Sequence, residues 1–130
     1  MAVPDFQSIM LPLLQATADG CEHSLGETVE HLAAEFGLTA EDRSEMIASG
    51  QRRLDNRVGW SITYLTQSGV LRRTGRGRFQ ITERGMQILA QKPERLDVKY
   101  LERFPEYQEF KSRGKSRMTR RRRRVGASKA

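Results

Sequence analysis

Four arginines fall within seven residues: Arg72, Arg73, Arg76 and Arg78 surround the turn-forming stretch Thr74-Gly75-Arg76-Gly77. The guanidinium is a planar fork of N–H donors that matches phosphate oxygens two at a time and stays charged at physiological pH. Like charges packed this closely repel unless an anion neutralises them, so the chemistry they suit is phosphate binding. The plainer reading of such an island is a solvated face. Nucleophilic and metal chemistry have thinner candidates. Cys21, His23 and His31 lack a fourth ligand at useful spacing and read as surface or packing residues. Ser24 has histidine neighbours but no orienting acid or oxyanion-hole signature, and its position suits helix capping. Gly75-x-Gly77 lacks the strand–loop–helix setting of a nucleotide-binding loop. No metal and no cofactor is expected.

The arginines need a scaffold. Val70–Arg73 and Arg78–Thr82 read as two short strands with Phe79 and Ile81 inward, and Gly75 and Gly77 permit the positive φ of a tight turn. A two-stranded hairpin is marginal alone in water, so it must pack on helices. The first spans Asp5 to Ala18, with Phe6, Ile9, Leu13 and Leu14 on one stripe; Pro12 inside it predicts a kink or a late start. Ser24-Leu25-Gly26-Glu27 predicts a capping box opening a second helix, which Gly37 stops. Thr39 caps a shorter helix from about Ala40 to Ile47. Leu54 to Ser68 follows, ended by Gly69.

In this last helix Leu54, Val58, Ile62 and Leu65 share one face. Asn56, Trp60, Thr63 and Gln67 share the opposite one, flanked by Arg57 and Tyr64. A lone tryptophan in a small helical domain is more often core than contact surface, so packing is the expectation for Trp60. After the hairpin Thr82 caps a helix through Leu89. A final helix over Asp97–Phe110 carries Leu101, Phe104, Tyr107 and Phe110, suited either to docking on its own domain or to a dimer contact.

A helical set with a hairpin directly after its last core helix is mostly α with a small β-hairpin: a winged helix-turn-helix with an extra C-terminal helix. In that architecture the helix before the hairpin can enter the major groove while the hairpin reaches the backbone or minor groove. The expected contacts to double-stranded DNA are Asn56, Arg57, Thr63 and Gln67 on the helix, with Arg72, Arg73, Arg76 and Arg78 on the wing.

Charge supports a polyanion partner. The net +7 is segregated: residues 1–51 hold one basic residue against nine acids, residues 52–84 hold eight arginines against two acids, and residues 111–130 hold ten basic residues and no acid. That basic tail has no apolar stripe to fold around and is expected to be disordered when free, with Arg120, Arg121, Arg122, Arg123 and Arg124 as a phosphate clamp or a solvated linker. Residues 4–110 are expected to form the domain. A single cysteine, no signal-peptide pattern and no long apolar run point to a cytoplasmic protein without a membrane partner.

Several separated blocks also resemble one family. "MLPLLQATADGCEHSLGETVEHLAAEFGLTAEDRSEM", "RLDNRVGWSITYLTQSGVLRR", "GRFQITERGMQIL" and "KYLERFPEYQEF" are similar to the N-terminal domain of Mrr-type restriction proteins, over about residues 4–110. The resemblance implies a winged-helix DNA-binding domain that precedes a PD-(D/E)xK nuclease, in proteins associated with cleaving modified, typically methylated, foreign DNA. It places the recognition helix at Asn56–Ser68 and the wing tip at Thr74–Gly77. The nuclease half itself is not expected in this chain. Glu109-Phe110-Lys111 and Asp97-Val98-Lys99 mimic its acid-x-Lys pattern, but neither sits on a strand-like segment within a βαβ core. Two other readings are a stand-alone winged-helix transcription regulator, which would usually need a dimer, and a protein-interaction module.

Overall fold

The computed structural model describes residues 3–113; the rest of the basic tail, including Arg120–Arg124, lies outside the described residues. Helix α1 (Phe6–Ala16) starts at Asp5, whose carboxylate accepts from the Ser8 amide at 3.2 Å. It runs on through Pro12 without the late start the proline suggested. The missing amide donor is offset by burial, since Ile9, Met10, Leu13 and Leu14 are completely enclosed.

A two-residue strand, β1 (His23–Ser24), leads into α2 (Leu25–Glu35). Ser24 caps α2 by accepting from the Glu27 amide at 3.2 Å. The other half of the expected capping box is missing, because the Glu27 carboxylate bonds His23 Nδ1 at 2.9 Å instead. A reciprocal box does form at Thr39 and Asp42, opening α3 (Ala40–Ser44). This helix stops short of Ile47: Met46 bridges Arg52, and the Ile47 amide turns back to the Gln51 carbonyl at 2.9 Å.

Helix α4 (Arg53–Gln67) is the spine of the core. Leu54, Val58, Ile62 and Leu65 are buried against α1 and α2, as their spacing predicts. Ser61, also buried, places its hydroxyl 2.6 Å from the Phe6 carbonyl, tying α4 to the start of α1.

Gly69, at φ 77, turns the chain into β2 (Leu71–Gly75) and β3 (Arg78–Ile81). The hairpin is part of a three-stranded antiparallel sheet rather than a pair, ordered β1-β3-β2, with His23 opposite Phe79. Of the two tip glycines only Gly77 needs its freedom, at φ 69; Gly75 sits at a register irregularity in β2. The Leu25 amide donates to the Gly77 carbonyl at 2.8 Å, so the first residue of α2 holds the wing tip.

Thr82 caps α5 (Glu83–Ala90) and also donates its hydroxyl back toward the Gly69 carbonyl, 2.6 Å away. The expected final helix is two: α6 (Val98–Leu101) and α7 (residues 105–113). Pro105 separates them, because it has no amide to donate to Leu101 and its ring would clash there, yet it fits the first position of a new helix. The apolar residues of α7 dock on their own domain: Tyr107 is buried, and Tyr64 of α4 meets Tyr107 and Phe110 at 6.1 and 5.6 Å between ring centres. Lys111 to Arg113 continue that helix past Phe110. The result is a mostly helical winged helix with a C-terminal extension. Among the described residues no helix is long and apolar enough to cross a membrane.

Candidate nucleic-acid interface

The wing carries its arginines outward, all four exposed along the hairpin while Leu71, Phe79 and Ile81 face the core. Three of them find partners within the protein. Arg72 donates across the strands to Gln80 Oε1 at 2.7 Å, and Gln80 in turn donates to the Gly20 carbonyl at 2.6 Å. Arg73 reaches Thr63 Oγ1 on α4 at 3.4 Å. Arg78 pairs with Glu22 at 3.2 Å. Arg76, at the tip, has no side-chain partner among the described residues. Part of the repulsion is therefore relieved internally, and the tip keeps an uncompensated charge.

Glu22 sits at the base of this wing. A hydrogen bond with the Thr74 side chain, followed by its bond to Arg78, holds its carboxyl below the usual carboxylate range. Next to it His23 lies between Asp19 and Glu27, each 2.9 Å from one ring nitrogen. Burial pushes the imidazole down, but the two carboxylates outweigh it and raise its pKa. Both nitrogens are thus engaged by carboxylates. Cys21 is exposed nearby.

Between α4 and the wing lies a hollow of about 290 Å³. Ile62, Phe79 and Leu25 give it apolar walls, and Gln51, Asn56, Thr63 and Arg73 give it polar ones. Asn56 Nδ2 donates to Gln51 Oε1 at 3.1 Å. Gly59 forms part of the lining from the middle of α4, and a Cβ placed there would meet nothing within 4 Å. Trp60 stands beside it. Its expected burial fails: it is 49% exposed, and among the described residues its one ring contact is Tyr64 of the same helix, edge-on at 6.2 Å. Gln51, Gly59 and Trp60 are among the lining residues that sequence reasoning left out of the interface, although the helical period already placed Trp60 opposite Val58.

The helix residues expected to contact DNA divide. Asn56 and Thr63 line the hollow next to the wing. Gln67 lies a turn further on, where its side-chain oxygen accepts from Arg113 at 3.3 Å. Arg57 points away: its guanidinium donates to the Val3 and Pro4 carbonyls at 2.7 and 3.2 Å and pins the chain start to α4. A sequence separation of more than fifty residues hides that contact from any local pattern. Each acid-x-Lys triplet has one residue in a structural contact. Asp97 caps α6 by accepting from the Tyr100 amide at 3.0 Å, and Lys111, on α7, pairs with Glu102 at 3.5 Å.

Core helices, a three-stranded sheet and a cationic hairpin beside the polar face of α4 define the class: a winged helix with a basic wing. Within that class the chain belongs to the Mrr N-terminal domain family, which matches residues 6–91. The match stops before α6 and α7, short of the residue 110 expected from the motifs. The chain is similar to the type IV methyl-directed restriction enzyme EcoKMrr of Escherichia coli (strain K12), at 30% identity over 95 residues, covering 72% of this chain and 31% of that enzyme. It therefore spans about a third of that relative's length. No solved structure matches.

Proposed function

We propose that this domain binds double-stranded DNA as the target-recognition part of a modification-dependent restriction protein. The observation that carries the reading is Arg76, unpaired among the described residues at the tip of an exposed hairpin, with Arg72, Arg73 and Arg78 behind it and the polar face of α4 alongside. Phosphate contacts from the wing set register and orientation, while Asn56 and Thr63 on α4 face the base edges. The catalytic nuclease belongs to a separate domain in this reading, and the basic segment with Arg120–Arg124 adds sequence-independent affinity. Methylated DNA is the proposed target, by similarity to a relative described as methyl-directed.

Fluorescence anisotropy with methylated and unmethylated duplexes of one sequence, at two salt concentrations, tests the proposal. Binding that falls steeply with salt and favours the methylated duplex is the expected result. Absence of binding at low salt overturns it.

A further inference from the structure

We propose that the hollow between α4 and the wing receives a single unstacked nucleobase, with Trp60 as its stacking platform; the inference rests on the DNA-binding reading above. Four observations converge. Trp60 offers a large aromatic surface that is 49% exposed at the rim. Half of the indole is left in water, an apolar ring face on which a base can stack.

The volume is also suited to one base. At about 290 Å³ the hollow lies at the lower end of the ~300–1,000 Å³ range of small-molecule sites, leaving room for one ring system rather than a whole cofactor. Its walls combine apolar and hydrogen-bonding groups in the way a base requires. The Asn56–Gln51 bond leaves the Asn56 Oδ1 acceptor and the Gln51 Nε2 donor without partners among the described residues. An adjacent acceptor and donor match the mixed edge of a nucleobase.

Third, the rim is cationic. Arg73 lines the hollow itself, and Arg76 follows on the same hairpin, so the phosphates attached to an inserted base meet positive charge. Fourth, Gly59 keeps the space open from within a helix. Glycine is a poor residue in a helix interior, and here no close neighbour requires it, since an added Cβ would have nothing within 4 Å. The helix carries that cost where a side chain would project into the hollow.

The only tryptophan of the chain is Trp60, so its emission reports this one site. The full 130-residue chain is titrated with three probes of equal length: a matched duplex, the same duplex with one mismatched pair, and a single strand. The mismatched duplex is expected to bind at least about tenfold tighter than the matched one, because much of its unstacking cost is already met. Trp60 emission should be quenched as it binds. Trp60→Ala should weaken the mismatched complex by about 5- to 100-fold, and Trp60→Phe by much less. Gly59→Leu should weaken it as well while raising the melting temperature, which separates a blocked hollow from an unfolded protein. Equal affinity for matched and mismatched duplexes with unchanged emission overturns the base site and leaves the DNA-binding reading standing. No binding of any probe at low salt overturns both.

Discussion

Arg84 and Glu106 face each other across the join between the wing and the C-terminal helices, with two N–O distances of 2.9 and 3.2 Å. The same guanidinium donates to the Ser68 carbonyl at 2.7 Å and lies 4.6 Å from the centre of the Phe104 ring. One side chain thus joins the end of α4, the start of α5 and the start of α7. Its bond to Arg84 keeps the Glu106 carboxyl below its ordinary value.

Arg84→Ala should remove all three interactions and strand the Ser68 carbonyl. A destabilisation of about 1–3 kcal/mol is expected, lowering Tm by roughly 5–15 °C. Arg84→Lys should recover less than half of that stability, since an ammonium cannot hold a carboxylate and a carbonyl in the same fork. Thermal melts of the three proteins decide it; equal stability of Arg84→Ala and the unchanged chain would show α7 to be held by its aromatic residues alone.

For the wing, Arg76→Ala should weaken duplex binding for every sequence and reduce the log–log salt slope by roughly 0.9 for each phosphate left without its cation. Glu22→Gln should act in the opposite direction. It frees Arg78 from an internal anion that occupies the place of a phosphate, and low-salt affinity should rise a few-fold. A salt series with one duplex compares the two. A weaker Glu22→Gln complex would mean that Glu22 serves to orient Arg78 rather than to compete for it.

His23 makes stability depend on pH. Its folded pKa is raised by Asp19 and Glu27 against burial, so the protonated form is favoured by folding. That contribution is complete below the unfolded value of about 6.5 and disappears as pH climbs through the higher folded value. Asp19, whose carboxyl is lowered first by its hydrogen bond to His23, contributes above its unfolded pKa and ceases to contribute as pH falls through the lower folded one. Melting temperature should therefore decline as pH rises from about 6.5 through the raised folded pKa in the unchanged chain, and His23→Gln should flatten the decline. Parallel pH profiles for the two proteins would show that the triad contributes nothing.

Two helical glycines should respond oppositely to alanine. At Gly85 a Cβ would lie 2.5 Å from Ile81 Cγ1 and 2.6 Å from the Val70 carbonyl, so Gly85→Ala must push α5 off the sheet, costing about 1–3 kcal/mol. At Gly59 the space is open, and Gly59→Ala should stabilise by about 0.5–1 kcal/mol through helix propensity. Denaturant titration measures both. Destabilisation by Gly59→Ala would contradict the open geometry.

Legibility in the sequence followed the range of the interaction. The buried face of α4 and the caps at Ser24, Thr39 and Thr82 repeat or resolve within a few residues, so they could be read directly. Strand β1 could not, because two residues carry no period and its pairing with β3 spans more than fifty positions. The commitment of Arg57 to Val3 and Pro4 and of Glu27 to His23 are choices among competing partners, and only the assembled fold decides them. The interface was half visible for the same reason. The wing arginines announce themselves by composition, whereas the hollow depends on what does not pack over Trp60, and empty space has no residue code.

The short strand β1 has a mechanical consequence. With β1 paired along the outer side of β3 and the Leu25 amide on Gly77, the wing is braced along its β3 edge. These contacts favour a fixed jaw over a hinged one, with the wing held beside the polar face of α4 before any partner arrives. A rigid gauge of this kind gives up little entropy on closing. It also transfers the burden of fitting to the duplex: stretches that bend or widen easily would match the jaw at low cost, and stiff ones would be turned away without a single base being touched.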